Sequence, residues 1–147
     1  MHIMIRMPKI KSVMTAFPFS ISIGAPINEA IAFMREKQLR HLPVTDNGKL
    51  VGVLSDRDIK LVLGPDFAYP NPDELTVGEA MVRESYIVDL DERADIVLEH
   101  MAEHHIGSAV VTRHGKLAGM FTTSDACREY ANLLREQFRR AGGGNAA

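Results

Sequence analysis

Residues 40–58 read RHLPVTDNGKLVGVLSDRD, and residues 107–125 follow the same pattern as GSAVVTRHGKLAGMFTTSD. Each stretch contains two short apolar runs separated by a turn, which holds Asn-Gly in the first copy and His-Gly in the second. Such pairs can supply the positive φ angles of a tight hairpin. Each stretch therefore predicts two antiparallel strands.

The repeat extends well beyond the hairpins. When residues 11–58 are laid over residues 78–125, at an offset of 67, ten of the 48 pairs are identical. The apolar pattern repeats as well, and its members are Ile27, Ala30, Ile31 and Met34 in the first copy and Ala94, Val97, Leu98 and Met101 in the second. The spacing i, i+3, i+4, i+7 is typical of one apolar helix face. A helix is therefore predicted before each hairpin.

Each copy then has the order β-α-β-β-α, which predicts an α/β (α+β) fold of two tandem pseudo-symmetric repeats that form one compact module. In the first copy, the first helix is expected to begin near Pro26. In the second copy, the corresponding helix is expected to be capped by Asp91. The predicted divisions are repeat 1 at 8–63, a proline-rich linker at 64–75, repeat 2 at 76–130, a C-terminal helix extension at 131–140 and a disordered tail at 141–147.

Composition excludes several classes of function. Seventeen basic and nineteen acidic side chains leave a net charge of −2, so no overall positive field favours nucleic acid. The apolar runs are too short for a membrane span, and the N-terminus lacks a signal-peptide pattern. Cys127 is the single cysteine and is predicted to be a buried structural thiol, which favours a reducing cytoplasm.

Both copies share the motif Gly-h-h-(Ser/Thr)-x-x-Asp, where h is apolar. Its members are Gly52, Ser55 and Asp58, and again Gly119, Thr122 and Asp125. A hydroxyl three residues before an acid at a helix start is typical of a capping box. A carboxylate can also accept hydrogen bonds from both hydroxyls of a ribose, while the helix start attracts phosphate. The pattern therefore leaves capping, ligand contact or both open.

These residues resemble a known family. The runs 40–44 and 48–58 look like the signature of a cystathionine-β-synthase (CBS) domain, and 106–111 with 115–125 is a looser copy. Together they resemble a stand-alone CBS pair, or Bateman module, over about residues 8–130. The resemblance implies a regulatory, non-catalytic module that binds an adenine nucleotide of the AMP, ADP or ATP type, AMP first, and signals to a client protein. It also implies a homodimer, with no catalytic cofactor and no nucleic-acid or membrane partner.

The resemblance also implies where the base and sugar bind. Residues 15–21 would face the Asp125 turn, and residues 82–88 the Asp58 turn. The expected contacts on these segments are Thr15, Phe19, Ser20, Ile21, Tyr86, Ile87 and Val88; alternatively, Phe17, Phe19 and Ile21 belong to the core. Glycine weakens a strand, so Gly52 and Gly119 indicate close approach of a bulky group, for which an adenine ring would serve.

The two copies differ in their cations. Arg40, His41 and Arg57 occupy positions that Gly107, Ser108 and Ser124 take in the second copy. Arginine can grip phosphate with a fork of donors, so the Asp58 site is expected to suit phosphate better. Arg40 could serve either site, Arg57 could be a solvent-exposed helix residue, and His41 could simply pack against a strand. Gly107 and Ser108 remain candidate contacts for the weaker site.

Other readings stay open at this stage. The pair could be a dimerisation module with empty sites, or could sense S-adenosylmethionine or NAD. His100, Glu103, His104 and His105 could hold a metal, although a solvated helix face explains them better. A closing helix from about residue 124 to 140 carries an apolar stripe, and its candidate dimer-interface residues are Tyr130, Leu133, Leu134 and Phe138.

Overall fold

The computed structural model of the chain describes residues 6–16, 19–64, 71–83 and 85–142. After a 3₁₀ turn, the first half contains β1 (Thr15–Ala16), β2 (Ile21–Ser22), α1 (Ile27–Lys37), β3 (His41–Asp46), β4 (Lys49–Ser55) and α2 (Asp56–Leu63). The second half contains α3 (Val77–Ala80), β5 (Ile87–Asp89), α4 (Ala94–His104), β6 (Ser108–Arg113), β7 (Lys116–Thr122) and α5 (Thr123–Arg140). The β-α-β-β-α order is confirmed in both repeats. Phe17, half of the predicted linker (65–70) and the predicted tail from residue 143 lie outside the described residues.

Two sheets organise the fold. One has the strand order β2-β3-β4, and the other has the order β1-β7-β6-β5. In each repeat a short strand pairs in parallel with the first hairpin strand, and the two hairpin strands are antiparallel. Val53, Val110 and Met120 form a buried apolar cluster of residues from both sheets. The two repeats therefore share one body.

Both predicted hairpin turns are confirmed. Asn47 and Gly48 have φ angles of 51° and 81°, and His114 and Gly115 have 52° and 77°. Two successive positive φ angles are the geometry of a type I′ turn, whose twist matches that of the flanking strands. The Gly in second position makes this turn possible without strain.

The leading segment of the first repeat, residues 8–16, packs on the second repeat. Strand β1 runs antiparallel to β7, with Thr15 opposite Met120. Ile10 is fully buried in the core of the second repeat, and its amide donates to the Glu92 carbonyl at 2.7 Å. The leading segment of the first repeat in the sequence therefore forms part of the sheet and core of the second repeat.

The leading segment of the second repeat, residues 76–82, does the reverse. The amide of Val77 donates to the Ala25 carbonyl at 2.8 Å, and that of Gly78 donates to the Ile23 carbonyl at 3.0 Å. Val77 is fully buried in the first core, which is centred on α1, α2 and the three-stranded sheet. The two packed cores thus exchange the leading segments of the two sequence repeats.

The helix starts follow the sequence in one repeat and depart from it in the other. Pro26 is the N-cap residue of α1, as predicted. The prediction of Asp91 as the cap of α4 is wrong, because the N-cap is Arg93 and no side chain caps it. Asp91 lies two residues too early and instead pairs with Lys11 at 3.0 Å. This ion pair ties the first leading segment to the second repeat.

The apolar faces of α1 and α4 also differ. Ile31 is buried, whereas its counterpart Leu98 is 40% exposed. The core side of α4 is carried by Ala94, Val97 and Met101. The helical period was therefore right, and one member of the predicted face lies at its solvent edge.

Helix α5 runs without a break from Thr123 to Arg140. The predicted boundary at residue 130 falls inside this helix. Ala126 is partly buried against the second core. The side chains further along the stripe are 46–61% exposed, and they are Tyr130, Leu133, Leu134 and Phe138. Among the described residues, no helix is both long and apolar enough to cross a membrane.

Candidate functional site

Both motif acids form capping boxes. The amide of Ser55 donates to Oδ2 of Asp58 at 2.8 Å, and the Asp58 amide donates to Ser55 Oγ at 3.0 Å. In the second copy the Thr122 amide donates to Oδ2 of Asp125 at 2.9 Å, and the Asp125 amide donates to Thr122 Oγ1 at 3.4 Å. The capping interpretation is confirmed, and in each copy it engages only one carboxylate oxygen through the backbone. The other carboxylate oxygen, Oδ1, takes no part in the cap.

A cavity of about 630 Å³ opens at the Asp125 turn. Its walls come from the first leading segment and its continuation, from the turn between α1 and β3, and from the start of α5. The lining residues are Thr15, Ala16, Phe19, Gln38, Leu39, Arg40, His41, Met120, Thr122, Thr123, Ser124, Asp125 and Arg128. The volume is within the range of about 300–1,000 Å³ typical of small-molecule sites. Both repeats therefore build this one site.

The charges in the Asp125 cavity are unevenly placed. Asp125 is buried, whereas Arg40 and Arg128 are exposed. Arg128 Nη1 lies 3.1 Å from Oδ1 of Asp125. Arg40 is carried in by the turn that precedes β3, where its carbonyl accepts the amide of Asp56 at 2.9 Å. An acid beneath exposed cations is suited to a ligand that has both hydroxyl and anionic groups.

His41 lies where the two repeats meet. Burial lowers the pKa of His41, Asp58 opposes this lowering, and the Arg40 charge adds to it. A Cβ on Gly107 would lie 3.3 Å from Nε2 of His41, so the imidazole occupies the space that a side chain at position 107 would need. The imidazole therefore forms a wall of the cavity, and its burial disfavours the charged form.

The structure brings together only part of the predicted site. Thr15, Phe19, Arg40, His41, Thr122 and Asp125 all line the Asp125 cavity. Gly107 and Ser108 border its turn, since the Gly107 carbonyl accepts the Thr123 amide at 3.1 Å and Ser108 lies opposite Thr122. Ser20 and Ile21 line a separate recess, and Ile21 is buried in the first core.

The predicted contacts of the Asp58 turn are more scattered. Val82 does meet the strand that leads into this turn, because its amide and that of Val53 donate to each other's carbonyls at 2.9 and 3.1 Å. Ile87 and Val88 belong to β5 and pair with β6. Tyr86 stacks on His100 with ring centroids 4.1 Å apart. Arg57 is exposed on α2, outside the Asp125 cavity.

The two strand glycines are explained by the chain itself. A Cβ on Gly52 would lie 2.5 Å from the Val82 carbonyl oxygen, and one on Gly119 would lie 2.8 Å from that of Thr15. The prediction of close approach is right, but the bulky group is the exchanged leading segment rather than an adenine ring. Gly52 and Gly119 position the site without lining its cavity.

Several wall residues escaped sequence reasoning. Gln38 and Leu39 follow α1, where Gln38 ends the helix in the left-handed region at φ 56°. Arg128 carried a usable signal, because an arginine three residues after an acid on a helix is placed for an ion pair. Met120 and Thr123 come from β7 and the start of α5, and Ala16 enters the cavity through the exchange of leading segments, for which the repeat pattern contains no signal.

The histidine cluster and the cysteine are not part of this cavity. His100 stacks on His104, whose Nδ1 lies 3.0 Å from the His100 carbonyl oxygen, while Glu103 and His105 are exposed. Within residues 6–16, 19–64, 71–83 and 85–142, no three His, Cys, Asp or Glu side chains are grouped to hold a metal. The prediction of a buried thiol is wrong, since Cys127 is exposed. It follows Ala126 on α5 and points about 100° away from that core-facing residue.

Comparison with known proteins places these features in a family. The CBS domain family matches the chain at residues 10–64 and 77–132. The Bacillus subtilis protein YlbB is 34% identical over 121 residues, which cover 81% of this chain and 80% of YlbB.

Two solved structures are similar throughout. The crystal structure of AcuB from Vibrio cholerae has a TM-score of 0.79 and 27% identity, and covers 91% of this chain and 98% of that one. The CBS domain pair of protein MJ0100, solved with 5′-methylthioadenosine and S-adenosyl-L-methionine, has a TM-score of 0.77 and 25% identity. It covers 87% of this chain and 99% of that one.

Proposed function

Because this chain belongs to the CBS domain family and contains two CBS domains, we propose that it is a regulatory module that binds an adenine nucleotide. AMP is the preferred ligand, and the bound state is passed to a client protein. The module regulates rather than catalyses. Its exposed Cys127 suits a reducing compartment, and we place it in the cytoplasm.

The observation that carries this proposal is the combination of groups in the Asp125 cavity. Asp125 can accept hydrogen bonds from ribose hydroxyls, and the start of α5 lies beside it. Phe19, Ala16 and Met120 offer an apolar edge for a base. Ligand pockets typically combine such apolar walls with a few convergent polar groups.

Arg40 and Arg128 supply the phosphate end of the proposed site. Both line the same cavity as Asp125, and an exposed arginine can grip a phosphate with two donors. This arrangement differs from the sequence expectation that the Asp58 site suits phosphate better. Arg40 was open to either site, and its place on the cavity wall favours the Asp125 site.

The likeness to MJ0100 supports an adenosine-containing ligand, since that CBS pair was solved with two of them. The charge of the cavity narrows the choice. S-adenosylmethionine carries a cationic sulfonium, which Arg40 and Arg128 would repel. An adenosine ligand with an anionic phosphate is therefore favoured over S-adenosylmethionine, and NAD remains a second candidate of the same charge type.

Titration calorimetry tests this function. We expect AMP to bind the native protein, S-adenosylmethionine to bind more weakly, and Asp125→Ala to weaken AMP binding. Asp46→Ala removes an exposed carboxylate at the end of β3 and is the control. Absence of AMP and NAD binding at millimolar concentration would refute the proposal. Equal losses in the two variants would remove Asp125 from the site.

We also propose that two copies associate through the exposed stripe of α5. An exposed apolar row on a helix is a surface that a second copy can cover, and symmetric pairs are the commonest soluble assembly. Light scattering at tens of micromolar should give twice the chain mass. Leu133→Glu with Leu134→Glu should halve it, whereas Asn132→Glu on the same helix should not. A native monomer contradicts the proposal.

The second candidate function is dimerisation alone, with both sites empty. The exposed stripe favours it, because the stripe does not depend on any ligand. A protein that dimerises through α5 but binds none of the adenosine ligands would have this function. Bound nucleotide in the purified protein, detected by mass spectrometry, would exclude it.

A further inference from the structure

One ion pair distinguishes the two motif acids. The Asp125 side chain is 10% exposed, and the Arg128 side chain is 66% exposed. Arg128 Nη1 donates to Oδ1 of Asp125 at 3.1 Å, while Oδ2 accepts the Thr122 amide at 2.9 Å and the Thr122 hydroxyl at 3.1 Å. Both oxygens of this carboxylate are therefore engaged.

The first repeat has no equivalent of this pair. The position that matches Arg128 is Leu61, which is 75% exposed on α2. Asp58 Oδ2 accepts the Ser55 amide, and within the described part of the chain no side chain donates to its other oxygen. Each acid thus forms its own capping box, but a sugar would have to displace an arginine only at Asp125.

We propose that Arg128 is a latch, held on Asp125 in the empty site, that makes the Asp125 cavity select ligands with an anionic phosphate. This inference rests on the proposed function and names what determines its ligand preference. A ribose can use Oδ1 of Asp125 only if the guanidinium leaves it. The arginine then needs a new partner.

A phosphate on the ligand supplies that partner. Arg128 lines the same cavity as Arg40 and lies at its solvent-exposed side, so its guanidinium can exchange the carboxylate for a phosphate without leaving the site. A neutral nucleoside displaces the same ion pair and offers nothing in return. The latch therefore penalises adenosine relative to AMP at the Asp125 cavity and leaves the Asp58 turn unaffected.

The test removes the latch while keeping the acid. In an Asp58→Ala background, Arg128→Leu copies the residue that the first repeat has at this position. Calorimetry should show adenosine binding about two- to fivefold more tightly, the range expected for loss of a largely exposed ion pair. AMP should gain less or lose, so the AMP-to-adenosine affinity ratio should fall. Arg135→Leu removes an exposed arginine from the same helix and is the control.

The reciprocal change transfers the latch. In an Asp125→Ala background, Leu61→Arg places an arginine three residues after Asp58 and should weaken adenosine binding there. An unchanged affinity ratio in Arg128→Leu, or the same change in Arg135→Leu, would overturn the latch while AMP binding itself persists. If none of AMP, NAD and adenosine binds the native protein, the proposed function fails, and the latch fails with it.

Discussion

The Asp58 turn and the Asp125 turn have the same local structure and different surroundings. Each has a hydroxyl and an acid in a capping box at the end of a hairpin. In the part of the chain that the structure describes, Arg40, His41 and Arg128 line one cavity with Asp125. Arg40 and His41 come from the first repeat, and Arg128 comes from α5. A repeated motif thus reproduces its backbone geometry, while its electrostatic character depends on what packs against it.

The largest expected effect of this difference concerns phosphate. With Asp58→Ala, only the Asp125 cavity keeps its acid, and removing the phosphate from AMP should cost about 1.5–3 kcal/mol of binding free energy, as for hydrogen bonds to charged groups. With Asp125→Ala, the remaining Asp58 turn should discriminate less. Calorimetry with AMP and adenosine measures both values. Equal discrimination in the two variants would mean that Arg40 serves both turns.

The contacts of the two exchanged leading segments can be compared through the free energy of unfolding of glycine variants. Alanine at Gly52 would press on the Val82 carbonyl, and alanine at Gly119 would press on the Thr15 carbonyl and the flexible Met14 side chain. Each should lower the free energy of unfolding by about 1–3 kcal/mol, the usual cost of overpacking. Because the Cβ at Gly52 would lie 2.5 Å from a carbonyl oxygen and that at Gly119 would lie 2.8 Å from one, Gly52→Ala should cost more.

Chemical denaturation measures these losses. Gly24→Ala is the control, since a Cβ there meets nothing within 4 Å. If both Gly52→Ala and Gly119→Ala keep wild-type stability, the leading segments move easily to make room for the added methyl groups. If Gly119→Ala loses more stability than Gly52→Ala, the more rigid contact is the one at Gly119.

His41 provides the smallest expected effect. Burial holds the pKa of His41 below its usual value, so the folded state takes up a proton less readily than the unfolded chain. The free energy of unfolding should therefore fall as the pH drops below about 6.5, where the unfolded histidine begins to bind protons. His41→Ser copies Ser108 of the second repeat and should lose this part of the pH dependence. If the free energy of unfolding changes equally with pH in the native protein and in His41→Ser between pH 7.5 and 5.5, His41 does not contribute to the pH dependence.

Much of the architecture could be read from local patterns. The apolar spacing from Ile27 to Met34 predicts α1, and the Asn-Gly and His-Gly pairs predict the two hairpins. The hydroxyl-to-acid spacing at Ser55 and Thr122 predicts both capped helix starts. Each of these features arises between residues a few positions apart, where backbone preferences and side-chain spacing act directly.

The candidate site could be predicted only in part for the same reason. Asp125 was identified from its motif and Thr15 from the family resemblance, but Arg128 was not singled out. The exposure of Cys127 and Leu98 also differed from expectation, because a helical pattern specifies a face and not how far a neighbouring element covers it.

The chain's own residue order is thus sufficient for two β-α-β-β-α repeats with equal caps. Their different roles arise from long-range packing, in which residues 8–16 cross to the second repeat and residues 76–82 to the first. Thr15 meets Met120, and Arg40 reaches the cavity of Asp125, across most of the chain. Such contacts form because burying Ile10 and Val77 in the opposite cores removes apolar surface from water. The hydrophobic effect is non-directional and does not depend on how far apart two residues lie in the sequence. The charges that surround each acid are therefore determined only by the folded arrangement.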